Sequence, residues 1–254
     1  MQKRGQITLF IIIALILVAA ILLMFLAKPQ IVNLIEQKDE DPQDTMEKCA
    51  RDAVEKAVDI MLPQGGVLNP TNYKMFENNR VQYLCYTNVY YNRCVNQQPM
   101  YIEFMEEEIK KYVQPIIEDC FFDFKKELEA EGNKVSMNQL VLDIELASDR
   151  VVVIMDRRIT ATKNDVVTDF DGFDSILKSP LYNLGIVATE IVNQEARYCN
   201  FQYIGFMAFY PRFEIKKKNV GSMETAAVIY TLEDSYTKKQ LNIAVRSCVM
   251  PPGM

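Results

Sequence analysis

The sequence contains no histidine and no tryptophan, and only nine of its 254 residues are glycine. Without histidine, the chain cannot form a Ser-His-Asp triad, a histidine proton shuttle or a metal site with imidazole ligands. It also lacks the Gly-rich loops of the common phosphate-binding motifs. Most soluble enzyme mechanisms therefore lose a required group. The sequence predicts a protein that is not an enzyme, with no catalytic residue and no cofactor.

The chain also has fewer basic than acidic residues. The chain has 28 Lys and Arg residues against 34 Asp and Glu residues, which gives a formal net charge of −6. Nucleic-acid binding requires a basic surface that matches the phosphate backbone. The one run of lysines, at 216–218, is short and falls in a predicted strand. We therefore expect no nucleic-acid partner.

An uncharged apolar segment lies near the amino terminus. Residues 6–27 carry no charge, and no proline or glycine interrupts them. A helix of that length measures about 33 Å, enough to cross a hydrocarbon core of about 30 Å. The segment is too long for the apolar core of a removed secretory signal peptide. We expect a single-pass transmembrane helix in the lipid bilayer, extended to residue 38.

The charges around this segment predict its orientation. Lys3 and Arg4 precede it, whereas an acidic stretch at 36–44 follows it. Positive residues stay on the cytoplasmic side of the membrane, so the amino terminus is expected inside and the rest of the chain outside the cell.

The residues KRGQIT, 3–8, resemble the class III signal peptides of archaeal type IV pilin-like proteins. The resemblance implies a leader at 1–5 and cleavage by a prepilin peptidase, which leaves the apolar helix on the mature protein. One position departs from the pattern: many type IV pilins have glutamate at the fifth mature residue, where this chain has Phe10. An ordinary uncleaved anchor is the alternative. The processing residues that the resemblance implies are Lys3, Arg4, Gly5 and Gln6.

Beyond the anchor, the sequence predicts one extracellular α+β domain at 44–254, with helices packed on an antiparallel sheet. Its first part, 44–132, is expected to be helical, with loops and one short hairpin at 67–100. Its second part, 138–250, is expected to be mainly sheet with one long helix, because the apolar period changes from 3.6 to 2 residues. The predicted helices are 46–62, 101–120, 121–132 and 180–198. The first is expected to be capped by Asp44 or Thr45 and ended by Pro63, Gly65 and Gly66. The second is expected to have a kink at Pro115. The predicted strands lie within 140–147, 150–163, 165–173, 213–219, 225–234 and 240–247.

The six cysteines suit an oxidising, extracellular compartment. Helical spacing places Cys49 and Cys120 on apolar stripes, a hairpin length separates Cys85 from Cys94, and Cys199 and Cys248 remain. We expect these three disulfide pairs, with buried free thiols as the alternative. No CxxC motif is present, so neither a zinc site nor a thioredoxin-type redox pair is expected.

Two polar stretches are candidate sites. Residues 73–101 hold six of the 13 tyrosines, together with several Asn and Gln residues, a composition common in recognition surfaces. The ligand-contact candidates are Tyr83, Tyr86, Tyr90 and Tyr91; the alternative is that they only cover the helices. Asp169, Asp171 and Asp174 surround Gly172, but this spacing is typical of a turn and departs from an EF-hand, so no metal site is predicted.

These observations predict a membrane-anchored extracellular pilin-like protein with a structural or adhesive role. The large domain favours a minor pilin, assembled beside other pilin-like subunits, or a non-polymerising relative. An anchored ligand-binding module is the alternative hypothesis, and a hydrolase that uses carboxylates alone is the third.

Overall fold

The computed structural model describes residues 14–18, 42–222 and 226–251. The chain divides into two units, 1–41 and 42–254. In the first unit, residues 14–18 are helical and exposed. The predicted leader and the rest of the predicted transmembrane segment lie outside the described residues. Among those described, no helix combines the length and the apolar character needed to cross a membrane.

The described part of the second unit is a mixed α+β fold in which helices pack on mainly antiparallel sheets, as the sequence predicted. Its helices are α1 (Pro42–Met61), a 3-10 turn (Leu62–Gln64), α2 (Tyr101–Ala130), α3 (Leu181–Tyr198) and α4 (Tyr203–Phe209). Its strands are β1 (Tyr73–Phe76), β2 (Asn79–Tyr86), β3 (Val95–Asn96), β4 (Lys134–Met137), β5 (Val141–Ala147), β6 (Arg150–Asp156), β7 (Ile159–Lys163), β8 (Val166–Phe170), β9 (Phe173–Lys178), β10 (Phe213–Val220), β11 (Ala227–Asp234) and β12 (Gln240–Arg246).

Within the described residues the strands form three sheets. The largest has the order β1-β2-β12-β11-β10, with β3 beside β2, and the smaller ones have the orders β4-β7-β8 and β5-β6-β9. Neighbouring strands are antiparallel except β2 and β12, which pair in parallel. This parallel pair brings the amino-terminal part of the domain against its last strand.

The segment 67–100 differs from the prediction of loops with one short hairpin. β1 and β2 form a tight hairpin through Glu77 and Asn78, both with positive φ, and β2 then lies inside the large sheet. Residues 81–85 of β2 are all buried. A strand buried on both faces lacks the alternation that marks a half-exposed strand, so its sequence gives no clear period-2 signal.

The two helices predicted at 101–120 and 121–132 are one helix, α2, with Pro115 inside it. The buried side chains form a single stripe that continues past the proline. Because the stripe packs against α1, α3, β4 and β5, its burial outweighs the backbone hydrogen bond that proline cannot donate. The buried residues of α2 are Tyr101, Met105, Ile109, Val113, Ile117, Phe121, Phe124 and Leu128.

The start of α1 also differs from the prediction. The helix begins at Pro42, so Asp44 and Thr45 lie in its first turn and do not cap it. Proline suits a first turn because its fixed φ matches the helix and its missing N–H would have no partner there. The predicted end is confirmed: after the 3-10 turn, Gly65 and Gly66 adopt φ values of +83° and +73°.

The predicted meander of residues 140–173 is divided between the two smaller sheets, and the chain changes sheet between β6 and β7. Arg157 lies at this break with a buried side chain. Its Nε donates to the carbonyl oxygen of Asn138 at 2.9 Å, and its Nη1 donates to Oε2 of Glu118 at 2.8 Å. These bonds satisfy the buried guanidinium and fix the corner. Farther along, the structure confirms the predicted long helix and the last three strands, and adds the short helix α4.

All six cysteines are paired. The disulfides join α1 to α2, β2 to the residue before β3, and the end of α3 to the residues after β12. These are the pairs expected from the sequence: Cys49–Cys120, Cys85–Cys94 and Cys199–Cys248.

The large sheet has apolar residues on both faces. One face contributes Tyr230, Leu232 and Ile243 to the main core, which it shares with α1, α2 and α3. A smaller cluster contains Ile229, the chain neighbour of Tyr230, and adjacent residues of a strand point to opposite faces. The members of this smaller cluster are Val81, Tyr83, Ala227, Ile229 and Ala244.

Candidate functional site

A cleft of about 480 Å³ lies beside the smaller apolar cluster, at the end of the large sheet. Its lining residues come from β1 and the residue before it, from β2 and the loop after it, and from the end of β12. We call it the tyrosine cleft. Its lining residues are Asn72, Tyr73, Lys74, Tyr83, Tyr86, Asn88, Tyr90 and Arg246.

Backbone hydrogen bonds hold the segments around the cleft together. The N–H of Tyr83 donates to the carbonyl oxygen of Asn72 at 2.9 Å, which joins β2 to the residue before β1. The N–H of Thr87 donates to the carbonyl oxygen of Arg246 at 3.0 Å, and that of Cys248 donates to Asn92 at 2.7 Å. The loop 87–94 is therefore attached to Arg246 of β12 near its start and to Cys248, after β12, near its end, and the Cys85–Cys94 disulfide closes it.

Two tyrosines of β2 form the floor of the cleft. The ring centroids of Tyr83 and Tyr86 are 5.0 Å apart, with their planes tilted by 59°. Tyr83 is buried in the smaller apolar cluster, and Tyr86 packs against that cluster while partly exposed. The two rings therefore present an aromatic surface that is fixed from beneath.

Arg246 supplies a nearly buried cation, since only 6% of the residue is exposed. It pairs in register with Tyr86 across the parallel strands. Its Nη1 donates to the carbonyl oxygen of Thr87, and its Cζ lies 5.6 Å from the ring centroid of Tyr90. Arg246 thus orders the loop after β2 and stacks on an aromatic residue of the same loop.

Burial and charge shift two titratable groups of the cleft. Burial and the nearby Tyr86 raise the pKa of Tyr83 to about 12, although the positive charge of Arg246 acts to lower it. The Tyr83 hydroxyl therefore stays protonated at neutral pH. Burial and the positive charge of Arg246 lower the pKa of Lys74. The cleft combines phenol hydroxyls, Asn side chains, aromatic faces and two basic residues. This set can bind a polar ligand by hydrogen bonds and by stacking.

The structure brings together Tyr83, Tyr86 and Tyr90 of the four tyrosines chosen from the sequence. Tyr91 does not line the cleft: it has a φ of +59°, and its N–H bonds the carbonyl oxygen of Val249. Tyr101, from the same stretch, is buried and donates to the carbonyl oxygen of Gly65 at 3.0 Å. Sequence reasoning missed the other lining residues, Asn72, Tyr73, Lys74, Asn88 and Arg246.

A second, larger concavity of about 850 Å³ lies between α3 and α4. Its lining is mainly aromatic and aliphatic, and Phe209, which is 83% exposed, stands at its edge. No residue of α4 is buried. We call this surface the apolar groove. Its apolar lining residues are Tyr182, Ile186, Val187, Phe201, Phe206, Phe209, Tyr210 and Phe213.

Two of the three aspartates around Gly172 have protein partners. Asp169 accepts a hydrogen bond from the Thr160 hydroxyl at 2.6 Å, and Asp171 lies 3.8 Å from Arg158. In the part of the chain that the structure describes, no group of three or more Cys, Asp or Glu side chains is arranged to hold a metal ion.

The chain was compared with known proteins in three ways. No family model matches it, no curated protein matches it, and no solved structure matches it.

Proposed function

We propose that the protein is a membrane-anchored extracellular protein of the pilin-like class, with a structural or adhesive role. It would be held in the lipid bilayer by residues 6–27 after a prepilin peptidase cuts between Gly5 and Gln6. The observation that carries the proposal is the disulfide pairing of every cysteine in a domain that follows a basic leader and an uncharged apolar segment.

The disulfides support the extracellular side of the proposal. Such bonds persist in oxidising compartments, whereas cytosolic proteins keep their thiols reduced. The three bridges each join different parts of the domain, one of them across 71 positions of sequence. A chain oriented with Lys3 and Arg4 inside the cell would place all six cysteines outside, where such bonds are stable.

The apolar groove supports a structural role. A concavity lined mainly by aromatic and aliphatic side chains is a common place for a partner to bind. The exposed residues Ile186, Phe209 and Tyr210 lie along it. In a pilin-like assembly the partner would be another pilin-like subunit.

The mature amino terminus tests the proposal. We expect mass spectrometry of the protein from native membranes to find a chain that begins at Gln6. Gly5→Val should block the cut, because the peptidase accepts only a small residue there, whereas Gln2→Ala in the same leader should leave processing unchanged. A native chain that begins at Met1, or after Ala27, would contradict the proposal.

The tyrosine cleft favours a second candidate function, an anchored ligand-binding module. Sugars offer both hydroxyl groups and C–H faces, which match the Asn side chains and aromatic rings of the cleft. We therefore propose an extracellular saccharide as the ligand. Binding to an array of surface glycans should be lost in Tyr86→Ala and retained in Tyr198→Ala, which removes an exposed tyrosine outside the cleft. Equal binding by the two variants would exclude the cleft as the site.

A further inference from the structure

A lysine, an asparagine and a buried glutamate meet where α3 ends beside strand β10. Nζ of Lys217 lies 3.0 Å from Oδ1 of Asn200 and 3.6 Å from Oε1 of Glu195. The Glu195 side chain is only 3% exposed, and that of Lys217 is 22% exposed. An amine, a carboxamide and a carboxyl group therefore lie within one hydrogen-bonded cluster at the edge of the core.

The fold fixes each of the three groups. Asn200 lies between Cys199, which is disulfide-bonded to Cys248, and Phe201, which is buried. Lys217 is paired in β10 with Tyr230 of β11, and its Nζ lies 5.3 Å from that ring. The Tyr230 hydroxyl donates to Oε1 of Glu195, the same oxygen that faces Lys217.

We propose that Lys217 and Asn200 form an intramolecular isopeptide bond. The neutral Nζ of Lys217 attacks Cγ of Asn200, and a new N–C bond forms. The bond between Cγ and Nδ2 breaks, and one molecule of ammonia leaves. Glu195 first takes a proton from the Lys217 ammonium, which makes Nζ the neutral nucleophile. It then gives this proton to the departing nitrogen and takes up the second proton, which the attacking nitrogen loses as the amide forms. The reaction needs no oxidant, reductant or further reactant.

The geometry places the reacting atoms close together before the reaction. Cγ of Asn200 lies one C=O bond, about 1.2 Å, beyond the oxygen that Nζ contacts. Rotation of the carboxamide exchanges its oxygen and nitrogen but leaves Cγ in place, so the approach does not depend on how the amide is oriented. Holding a nucleophile against its target in this way replaces a bimolecular encounter with a step inside one molecule.

The surroundings of Glu195 suit proton transfer. Nζ of Lys217 lies 3.6 Å from Oε1 of Glu195, which is close enough for a proton to pass between the two groups. Burial, and then the bond to Glu195, raise the pKa of Tyr230 above its ordinary value, so the phenol remains a donor to that carboxyl group. Asn200 itself is exposed, which gives the ammonia a path to solvent.

The bond would have a structural consequence for α4. Asn200 and Lys217 stand on either side of this helix, which has no buried residue. An isopeptide bond would close the segment 200–217 into a covalent ring. It would add a covalent restraint to the packing of Tyr203, Phe206 and Met207, the α4 residues that contact the main core while partly exposed.

Mass spectrometry of the purified full-length protein, after disulfide reduction, tests the proposal. We expect the intact chain to be lighter than its sequence by one ammonia, and a protease digest to contain a branched peptide that joins Asn200 to Lys217. The branched peptide is essential, because a succinimide at Asn200 would lose the same mass but leave Lys217 in a linear peptide. Unmodified linear peptides for both residues in the folded wild-type protein would overturn the proposal, whatever the variants do.

Variants of Lys217, Asn200 and Glu195 test the role of each residue in the reaction. Lys217→Arg and Asn200→Ala should abolish the branched peptide, and Glu195→Gln should abolish it or slow its formation although both partners remain. Lys218→Arg, at the adjacent exposed position, should leave it complete. A Glu195→Gln protein that forms the bond at the wild-type rate would remove Glu195 from the mechanism. The reaction requires neither the leader nor the membrane, so its outcome is independent of the proposed processing.

Discussion

Among individual residues, Arg212 joins segments that are far apart in the sequence. Its Nε donates to Oδ2 of Asp234 at 2.5 Å, and its Nη1 and Nη2 donate to the carboxylate of Asp149 in the turn between β5 and β6. The Asp234 side chain is fully buried. It also accepts bonds from the backbone N–H and the hydroxyl of Thr237. Arg212 therefore neutralises a buried carboxylate and ties β11 to another sheet.

Because of these contacts, the stability of the domain should depend on pH in the acid range. Burial alone would raise the pKa of Asp234, but its bonds to Arg212 and Thr237 lower the pKa below the ordinary value. The Arg212 bonds also lower the pKa of Asp149. Carboxylates with a depressed folded-state pKa stabilise the protein above their unfolded pKa of about 4, and this contribution is lost as the pH falls through the folded value.

We predict that Arg212→Ala lowers the free energy of unfolding at pH 7 by about 3 kcal/mol, because it leaves Asp234 charged and buried without its cation. The difference between wild type and variant should shrink at pH 3, where the unpaired carboxyl group of the variant can bind a proton. Urea denaturation at the two pH values measures both effects.

Arg158→Ala is the matched control, since Arg158 makes an ion pair with Asp171 in which both side chains are exposed. Such surface pairs contribute about 1 kcal/mol or less. Equal losses for the Arg212 and Arg158 variants would show that the buried carboxylate is not what Arg212 stabilises.

At the scale of elements, the end of α1 depends on a close approach to α2. Gly66 has a φ of +73°, and a Cβ atom there would lie against the hydroxyl of Tyr101 and 2.9 Å from Sδ of Met105. Tyr101 cannot easily move, because it donates to the carbonyl oxygen of Gly65. The second glycine of the pair is therefore required both by its backbone conformation and by lack of space.

Gly66→Ala should destabilise the domain more than Gly172→Ala. Gly172 has a similar φ of +71°, but no atom lies within 4 Å of its added Cβ. Both changes incur about 1–2 kcal/mol for the left-handed conformation. Only Gly66→Ala adds steric overlap, worth about 1–3 kcal/mol. Thermal unfolding of the two variants separates the conformational cost from the steric cost. Equal shifts in Tm would mean that α2 moves freely to make room for the added methyl group.

The disulfides should stabilise the fold according to the loops that they close. Cys49–Cys120 spans 71 positions and joins α1 to α2, whereas Cys85–Cys94 spans nine. The chain-entropy model gives about 4 kcal/mol for the first and about 3 kcal/mol for the second. Chemical denaturation of the two double Cys→Ala variants measures the difference. A larger loss for the Cys85–Cys94 variant would show that this bridge acts mainly on the native loop 87–94.

The sequence predicted those elements whose apolar period is regular and local. The long helix α3 and the strands β10 to β12 were found because their patterns continue without a break. β2 was missed because residues 81–85 are buried on both faces and do not alternate. The predicted boundary between residues 120 and 121 was wrong, because α2 runs from Tyr101 to Ala130 and its buried stripe continues through Phe121 and Phe124, a packing that the sequence does not display.

The candidate site was predictable only in part, for a related reason. Composition drew attention to Tyr83, Tyr86 and Tyr90, which are close in sequence. Arg246 bonds Thr87 across 159 positions, through a parallel pairing of β2 with β12 that no local pattern reveals. A basic residue at the end of the otherwise uncharged β12 was the available signal, and it has a structural explanation only once the partner strand is known.

At the scale of the whole molecule, the charge and the groove act in opposite directions. The net charge of −6 favours repulsion between copies of the chain. The apolar groove between α3 and α4 favours association with a partner. A partner subunit of different sequence could satisfy the groove without bringing like charges together. This balance agrees with the proposal of a minority subunit better than with that of a self-assembling one.

Assembly into filaments should depend on the amino terminus that the proposed cleavage creates. Cleavage after Gly5 would create a new amine in an apolar environment, where an unpaired charge costs several kcal/mol. A glutamate at the fifth mature position would neutralise this amine in a neighbouring subunit, but this chain has Phe10 there. We therefore expect the protein, expressed with its peptidase and an assembly ATPase, to form no long filaments alone and to enter filaments beside a glutamate-bearing pilin.

Phe10→Glu should increase self-assembly, whereas Phe10→Leu should not, as judged by electron microscopy of sheared material. Abundant filaments of the unaltered chain alone would contradict this prediction, because they would show that the amine needs no carboxylate partner.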